Sequence, residues 1–548
     1  MTETSTQPPL EAEIIQVGMV LCFLVMVPGA LLGTERHHYP KEAVLAVAAF
    51  VAALVCFRRR RRLSIDAVDL CWGGFLVLSL VSAVAAAGQP WFSLRSLGLS
   101  LAGMAVYWTV RRLACEGLGE AMLNCAVVAL CVVALTGVLE AYGLVSGLSL
   151  ANRAPGGTMG NRNRLAELLV IGFPVLWLQG LRARTRQHLA VALLGSALAA
   201  GAVLLSRCRG AWLAAIVMCA VAALLFAACR GASPGPHRRR ILLLAAAPVA
   251  GILAALAFES PLAWSTGSPY GDSLAGIANY RTGSGRGRLV QYANTARIIA
   301  DHPVLGVGPG NWAVAYPRYA TPGDPSYVPD NLLPTNRTAH SDWLGLAAER
   351  GIPALALLLA GGVLLLGRFA RALRGAEASS RERLQAAAGI LVLVALAVTG
   401  SLDSVLLTAA PTFLVFLTLG AVASPGGRNL ELSLSPVQHR AGLSLVFAAG
   451  MVPVAYVVLQ LAGGTLYGRS GAPSALRSAV LINPGDYAAH MYLAQHWAES
   501  GRCDLALPLI RSAAQLYPTA QAPGRLREEC STRGPRTRTA ASGEAAAR

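Results

Sequence analysis

Apolar stretches about 20 residues long recur along this chain, and most of them end at a cluster of arginines. A helix of that length covers the hydrocarbon core of a bilayer. Inside that core every backbone polar group must be satisfied within its own segment. The pattern therefore predicts an all-α polytopic membrane fold. The runs fall at 14–32, 43–57, 67–87, 94–110, 121–142, 166–181, 188–205, 212–228, 241–258, 352–366, 384–399, 405–423 and 443–462, or about 12–13 transmembrane helices.

The arginines set the sidedness. They follow alternate runs at Arg58–Arg62, Arg111–Arg112, Arg182–Arg186, Arg230–Arg240 and Arg368–Arg383. Counting helices puts all of these clusters, and the tail 1–13, on one side, which the positive-inside rule makes cytoplasmic. That accounts for the net charge of +18 without nucleic acid. With 55% hydrophobic and 14% charged residues, a soluble enzyme is also excluded. The first run follows acidic residues (Glu3, Glu11, Glu13) and reads as a retained helix, not a signal peptide.

Three regions are not membrane. A long polar loop spans 259–350, inside a transmembrane domain of 14–462. Residues 463–520 form a tetratricopeptide-like helical segment, because Arg477, Ser478, Ala479 and Pro484 recur at a spacing of about 34 as Arg511, Ser512, Ala513 and Pro518. Its helix pair turns near Gly501. Fewer than three repeats are present, so the segment has to pack on something else, a protein partner included. Residues 521–548 read as a disordered tail. Most of the eleven cysteines lie in apolar runs and there is no CxxC, so neither a metal site nor a cofactor is expected. Cys503 and Cys530 can pair in an oxidising compartment.

Arginines on the outer side break the topology rule and need a reason. They are Arg153, Arg162 and Arg164 around GGTMGNRNRL, Arg207 and Arg209 in LLSRCRGAW, and Arg286 and Arg288 in GSGRGRL. Together they would form a basic pocket against the outer leaflet. The planar guanidinium suits phosphate oxygens, so a lipid-linked diphosphate is the natural guest. His340, in TAHSDWL just before an apolar run, sits low against the membrane and can accept a proton or donate to phosphate. Asp342 or Glu349 could orient its ring. Gly306-Val307-Gly308-Pro309-Gly310 reads as a turn, since Pro309 interrupts it and no strand precedes it.

Four segments resemble the O-antigen ligase family of bacterial membrane glycosyltransferases, which is related to O-antigen polymerases. They are GNRNRLAELLVIGFP (160–174), SRCRGAWLA (206–214, with Cys208 where Ser is usual), GRLVQYANTARIIADHPVLGVGPGNW (287–312, with Tyr292 where Trp is common) and AHSDWLGLAAERGIPAL (339–355, with Ser341 in place of Asn). The hairpin around Asp403 is also similar. The resemblance implies a C-type glycosyltransferase-like fold with a large periplasmic loop. It implies catalytic roles for His340, Arg288 and Arg209, with the arginines holding the diphosphate of an undecaprenyl-linked glycan. Arg207, Arg286, Asn161, Asn163 and Asp342 are the expected substrate-binding neighbours. The implied reaction is metal-independent and inverting, in the bacterial inner membrane, and uses no cofactor. Lipid A core, another glycan or a protein is the acceptor. A flippase for lipid-linked glycans would favour mid-helix charges and inverted repeats, and neither is seen. A plain membrane anchor for the repeat segment would leave the outward arginines unexplained.

Overall fold

The structure is a computed structural model that describes residues 8–27, 32, 36–150, 152–228, 236–262, 268–276, 283–375, 377–423, 429–470 and 472–532. The helices are α1 (Leu10–Leu24), α2 (Tyr39–Arg58), α3 (Ala67–Ala85), α4 (Pro90–Cys115), α5 (Gly119–Ala141), α6 (Arg162–Arg182), α7 (Arg186–Ser206), α8 (Arg209–Ala228) and α9 (Pro236–Ala257). Within the loop come α10 (Pro269–Ala275), α11 (Gly283–Asp301), α12 (Trp312–Ala315) and α13 (Asp342–Arg350). Then follow α14 (Ile352–Arg374), α15 (Ser380–Leu402), α16 (Ala409–Val422) and α17 (Pro436–Ser470), and the tail helices α18 (Pro473–Ile482), α19 (Tyr487–Glu499), α20 (Cys503–Leu516) and α21 (Ala522–Thr532).

The protein is an all-α polytopic membrane protein. Among the described residues, 10 helices are long and apolar enough to cross a bilayer: α2, α3, α5 to α9, α14, α15 and α17. The other three apolar runs are helical but differ in kind. α1 has 15 residues. α16 has 14, and every one of them is buried. It is an enclosed core helix and presents no face to lipid. α4 carries Arg95, Arg111 and Arg112 within its 26 residues.

Helix starts follow the local sequence. Asp66 closes a capping box on α3, accepting from the Val68 and Asp69 amides while Asp69 accepts from the Asp66 amide. Ser379 and Glu382 do the same for α15. Asn161 caps α6, the most enclosed of the long helices, which is buried without a break from Leu165 to Leu176.

Most of the arginine clusters expected on one side meet there in shared ion pairs. Arg111 contacts Asp66 at 3.1 Å and Asp69 at 2.7 Å, and Arg368 reaches Asp66 at 2.5 Å. Arg182 and Arg381 both sit 3.2 Å from Glu120. Arg60 pairs with Glu116, and Arg59 lies 2.8 Å from Glu11 on α1. Two short strands, β1 (Arg62–Ile65) and β2 (Leu430–Ser433), pair antiparallel on this face, with Arg62 opposite Ser433 and Ile65 opposite Leu430. Relative sidedness is thus built into the packing.

The loop and the tail share the opposite face. The glycine-rich stretch is a turn wedged against the α3–α4 link. Gly306, Gly308 and Gly310 all have positive φ (65°, 94° and 72°). A Cβ on Gly308 would lie 2.5 Å from the Ala87 backbone, and one on Gly310 would lie 2.5 Å from the Phe92 carbonyl. Only glycine tolerates both the backbone and the approach. Asn311 then locks the turn, accepting from the Gln89 amide at 2.7 Å and donating to the Gln89 carbonyl at 3.1 Å.

The tail helices pack on the loop. Tyr487, Met491, Ile510 and Tyr517 form a buried apolar cluster with Val314, flanked by Phe92 and Leu332. Cys503 and Cys530 are joined by a disulfide, with Cα atoms 5.5 Å apart. Residues 522–532, expected in a disordered tail, form α21. Leu526 and Cys530 give it a buried face and the disulfide ties it down. The remainder of that expectation, 533–548, lies outside the described residues.

Candidate active site

His340 stands at the junction of four elements, and its backbone is fixed before its ring is considered. Its amide donates to Gln291 Oε1 at 2.9 Å, and its carbonyl accepts from the Tyr292 hydroxyl at 2.6 Å. Both partners come from consecutive positions on α11. The Tyr292 oxygen also lies 3.0 Å from the Ser401 carbonyl, so one phenol bridges the loop and the end of α15. Tyrosine at this position supplies a bridge that an indole N–H would have to reach from a different angle.

The next residue starts a helix. Ser341 caps α13 by accepting from the Leu344 amide at 3.4 Å. Asp342 follows in the first turn and is completely buried. Its carboxyl accepts from the Val405 amide at 3.0 Å and from the Leu406 amide at 3.0 and 3.1 Å. Burial pushes this carboxyl up to about 8, against the opposing pull of those amides. Asp342 therefore holds the α15–α16 hairpin in place. As an expected substrate contact it is corrected, because no solvent-facing atom remains to it.

The ring partner is Asp403, at the tip of that hairpin. His340 Nδ1 lies 3.2 Å from Asp403 Oδ1. The same oxygen accepts from the Ser404 amide at 2.8 Å, which holds the carboxylate in one rotamer. Asp403 Oδ2 is 3.7 Å from Arg288 Nη2. Burial acts to raise the Asp403 carboxyl, but the hydrogen bond from His340, with Arg288 and the Ser404 amide, outweighs it and holds the group below the usual carboxylate range. On the other ring edge, Asn336 Nδ2 lies 3.4 Å from His340 Nε2. The Asp403 carboxylate facing Nδ1 favours the tautomer protonated there, which leaves Nε2 as the accepting nitrogen, on the side of Asn336. The His340 side chain is 34% exposed, Arg288 23% and Asp403 19%, so the group is open to a ligand yet partly desolvated.

Two enclosed groups border this cluster. Glu167, in the first turns of α6 and 5% exposed, is within electrostatic reach of Asp403, Arg288, Arg164 and Asp342. Cys208, at the α7–α8 junction, is within reach of Glu167, Asp403 and Arg288. Burial pushes its thiol up to about 12, so it is a neutral filler and not a nucleophile.

The remaining expected residues are distributed around this centre. Arg207 takes a left-handed backbone conformation (φ 54°) at the end of α7, and its Nε donates to Ser273 Oγ at 2.8 Å. Arg209 opens α8 and donates to the Gly276 carbonyl. The helix junction is therefore tied to the loop's first helix, α10. Arg162 lies within electrostatic reach of Arg207 and Arg153, so arginines from three segments gather on this face. Arg286 is exposed on the first turns of α11. Asn161 accepts from the Asn163 amide at 2.9 Å as the α6 cap. That is a capping role for its side-chain oxygen. Asn163 lies on the first turn of α6.

Glu349 and Arg350, at the loop's exit, are both buried. Arg350 donates to the Ser96 hydroxyl at 2.8 Å and lies over the Phe75 ring, 4.9 Å from its centroid. Glu349 takes the amides of Gly310 and Trp312. These two clamp the glycine-rich turn to the bundle and do not orient His340.

Sequence reasoning singled out Arg288 and His340 and missed the residues that join them. Asp403 had a visible signal, a lone carboxylate between two apolar runs. Glu167 was passed over because it lies near a helix end. Residues 194–359 match a family model described as O-Antigen ligase. No curated protein matches the chain. The matched segment contains Arg207, Arg209, Arg286, Arg288 and His340 and supports a membrane glycosyltransferase-like role. It stops short of Asp403.

Proposed function

We propose that this chain transfers a preassembled glycan from an undecaprenyl-diphosphate carrier to an acceptor on the periplasmic face of the bacterial inner membrane. The single observation that carries this reading is the His340–Asp403–Arg288 cluster, set at the bilayer-proximal end of a loop whose sequence matches the O-antigen ligase family model. The disulfide between Cys503 and Cys530, on the same side as the loop, supports an oxidising compartment for that face.

An acceptor hydroxyl takes the place of the Asn336 amide at Nε2 of His340 and gives up its proton there as its oxygen attacks the anomeric carbon. The bond from that carbon to the diphosphate oxygen breaks, and the electron pair leaves with the diphosphate. Asp403 stabilises the imidazolium that forms. Arg288, aided by Arg209 and Arg207 from the helix junction, faces the charge growing on the leaving group, where partial desolvation strengthens the contact. Attack opposite the leaving group inverts the anomeric centre, and no metal is required.

Lipid A core is the acceptor we assign, making the chain an O-antigen ligase. Polysaccharide polymerisation and protein O-glycosylation use the same chemistry with another acceptor. The test is a deletion strain complemented with wild type or His340→Ala, analysed by mass spectrometry. Lipid-linked glycan should accumulate and lipid A core should lose its polymer in both the deletion and the variant. Normal glycosylation of every acceptor by His340→Ala in membranes would overturn the reading.

A further inference from the structure

A cavity of about 120 Å³ lies against the segment that leads into His340, and the proposed reaction does not use it. Its walls come from places far apart in the chain, Tyr39 on α2 and Tyr456 on α17 among them. α4 contributes Phe92, Arg95 and Ser96. The loop contributes the segment Leu333–Thr338, and the tail contributes Gly485–Ala488 and Tyr517.

The tail is fastened over it as a roof. Tyr517 donates to the Ala313 carbonyl at 2.6 Å and lies 3.2 Å from the Thr335 hydroxyl. Thr519 donates to the Val314 carbonyl at 2.6 Å. Gly485 lies flat on Trp91, where any Cβ would come within 1.9 Å of the indole nitrogen, so the approach itself selects glycine.

The lining is chemically mixed in a particular way. Tyr39, Phe92, Tyr456, Tyr487 and Tyr517 present aromatic surface, while Arg337, Thr338 and Asp486 present polar groups. Tyr487 is 4% exposed, and its buried hydroxyl has no hydrogen-bond partner among the described residues. A buried hydroxyl without a partner costs about 1–3 kcal/mol. A ligand hydroxyl would relieve that. Pyranose rings pair apolar C–H faces with a rim of hydroxyls, matching aromatic walls interrupted by hydroxyl, carboxylate and guanidinium groups. An acyl chain would leave the Tyr487 hydroxyl and the polar side chains facing hydrocarbon.

The cavity also addresses the imidazole. Thr335, Arg337 and Thr338 line it, and Asn336, between them, faces His340 Nε2. One short segment thus has the cavity on one side and the proton-accepting nitrogen on the other. We propose that this tail-roofed cavity binds the saccharide of the acceptor, one chain segment away from His340 Nε2. The inference rests on the glycosyltransferase reading above and deepens it. The tail becomes part of the acceptor site instead of a docking module for another protein.

The test uses full-length protein in lipid nanodiscs and saturation-transfer NMR with free glucose, galactose and N-acetylglucosamine at millimolar concentration. At least one sugar should receive saturation from the wild type. Ala488→Trp, which fills the cavity, should abolish that signal. Tyr487→Phe, which removes one buried oxygen and should not lower thermal stability, should weaken binding about fivefold. Silence from all three sugars, an unchanged signal in Ala488→Trp, or saturation of oleate in place of sugar would overturn the proposal. His340→Ala should still bind sugar. Its loss of glycan transfer tests the reaction separately, so the two readings fail independently.

Discussion

The Asp403 carboxylate meets the His340 imidazole at 3.2 Å although the two are 63 positions apart in the chain. Four neighbours keep that meeting in place. Gln291 and Tyr292 fix the backbone of His340, the Ser404 amide fixes the carboxylate, and Asp342 fixes the hairpin that carries it.

Asp403→Asn follows directly. The amide keeps the shape but no longer demands a proton at Nδ1, so the ring is free to adopt the tautomer with Nε2 protonated and unable to act as a base. We expect transfer to fall by about 10²- to 10⁴-fold with unchanged insertion. Combined with His340→Ala the loss should be no greater than for His340→Ala alone, because the two act as one unit. Transfer assays in membranes containing equal amounts of protein check both points.

Arg288→Lys tests whether the guanidinium fork matters beyond its charge. Lysine keeps a cation near Asp403 but cannot offer two parallel N–H groups to a diphosphate. We expect Arg288→Ala to lower kcat by about 10²- to 10³-fold and Arg288→Lys to recover only a minor part. Donor titrations with a short-chain lipid-linked glycan separate kcat from KM. Full activity in Arg288→Lys would reduce the residue's role to charge alone.

Asp342 gives a pH prediction. Its carboxyl stands at about 8 in the folded protein against 3.8 in the unfolded chain. A folded value raised in this way means that folding favours the protonated form. The stability it supports is complete below about pH 4 and is lost as pH rises toward 8. Asp342→Asn removes the titration while keeping a carbonyl acceptor for the Val405 and Leu406 amides. Thermal unfolding midpoints should therefore fall between pH 5 and pH 8 in the wild type and fall less in the variant. Equal slopes would remove Asp342 as the cause.

The fold was readable in the sequence because a bilayer imposes length and the arginines impose side. Both requirements are local, so apolar runs and arginine clusters were enough to place all the long helices. Arg288 and His340 were readable for the same reason, being polar groups where the topology argument expects none. The hairpin around Asp403 was readable too, but its pairing with His340 was not, since nothing near residue 340 in the chain reports which hairpin folds beneath it. Asp342 misled because proximity in sequence suggested proximity to the ring. The Ser341 cap starts a helix between them, and the carboxyl turns inward to the hairpin amides. The tail's place over the cavity depends on Gly485 lying against Trp91, a tertiary contact that leaves no periodic trace.

The tail also supplies the test of orientation. The disulfide closes a segment in which the cysteines are 27 residues apart, and it fastens α21 to the start of α20. Such a closure stabilises the folded tail by about 3 kcal/mol. Cys503→Ser should therefore loosen α20 and α21 without disturbing the membrane helices, and protease should cut first between Leu516 and Ala522. The other described cysteines lie in or near the bundle, and every cysteine except these two is replaced by alanine for a labelling experiment. In cells with a permeabilised outer membrane, an impermeant maleimide should then fail to label the protein until a reductant is added, after which both thiols react. A periplasmic disulfide requires both halves of that result. Labelling only after the inner membrane is broken would put the tail in the cytoplasm. The loop packed against it, with His340, would go there too.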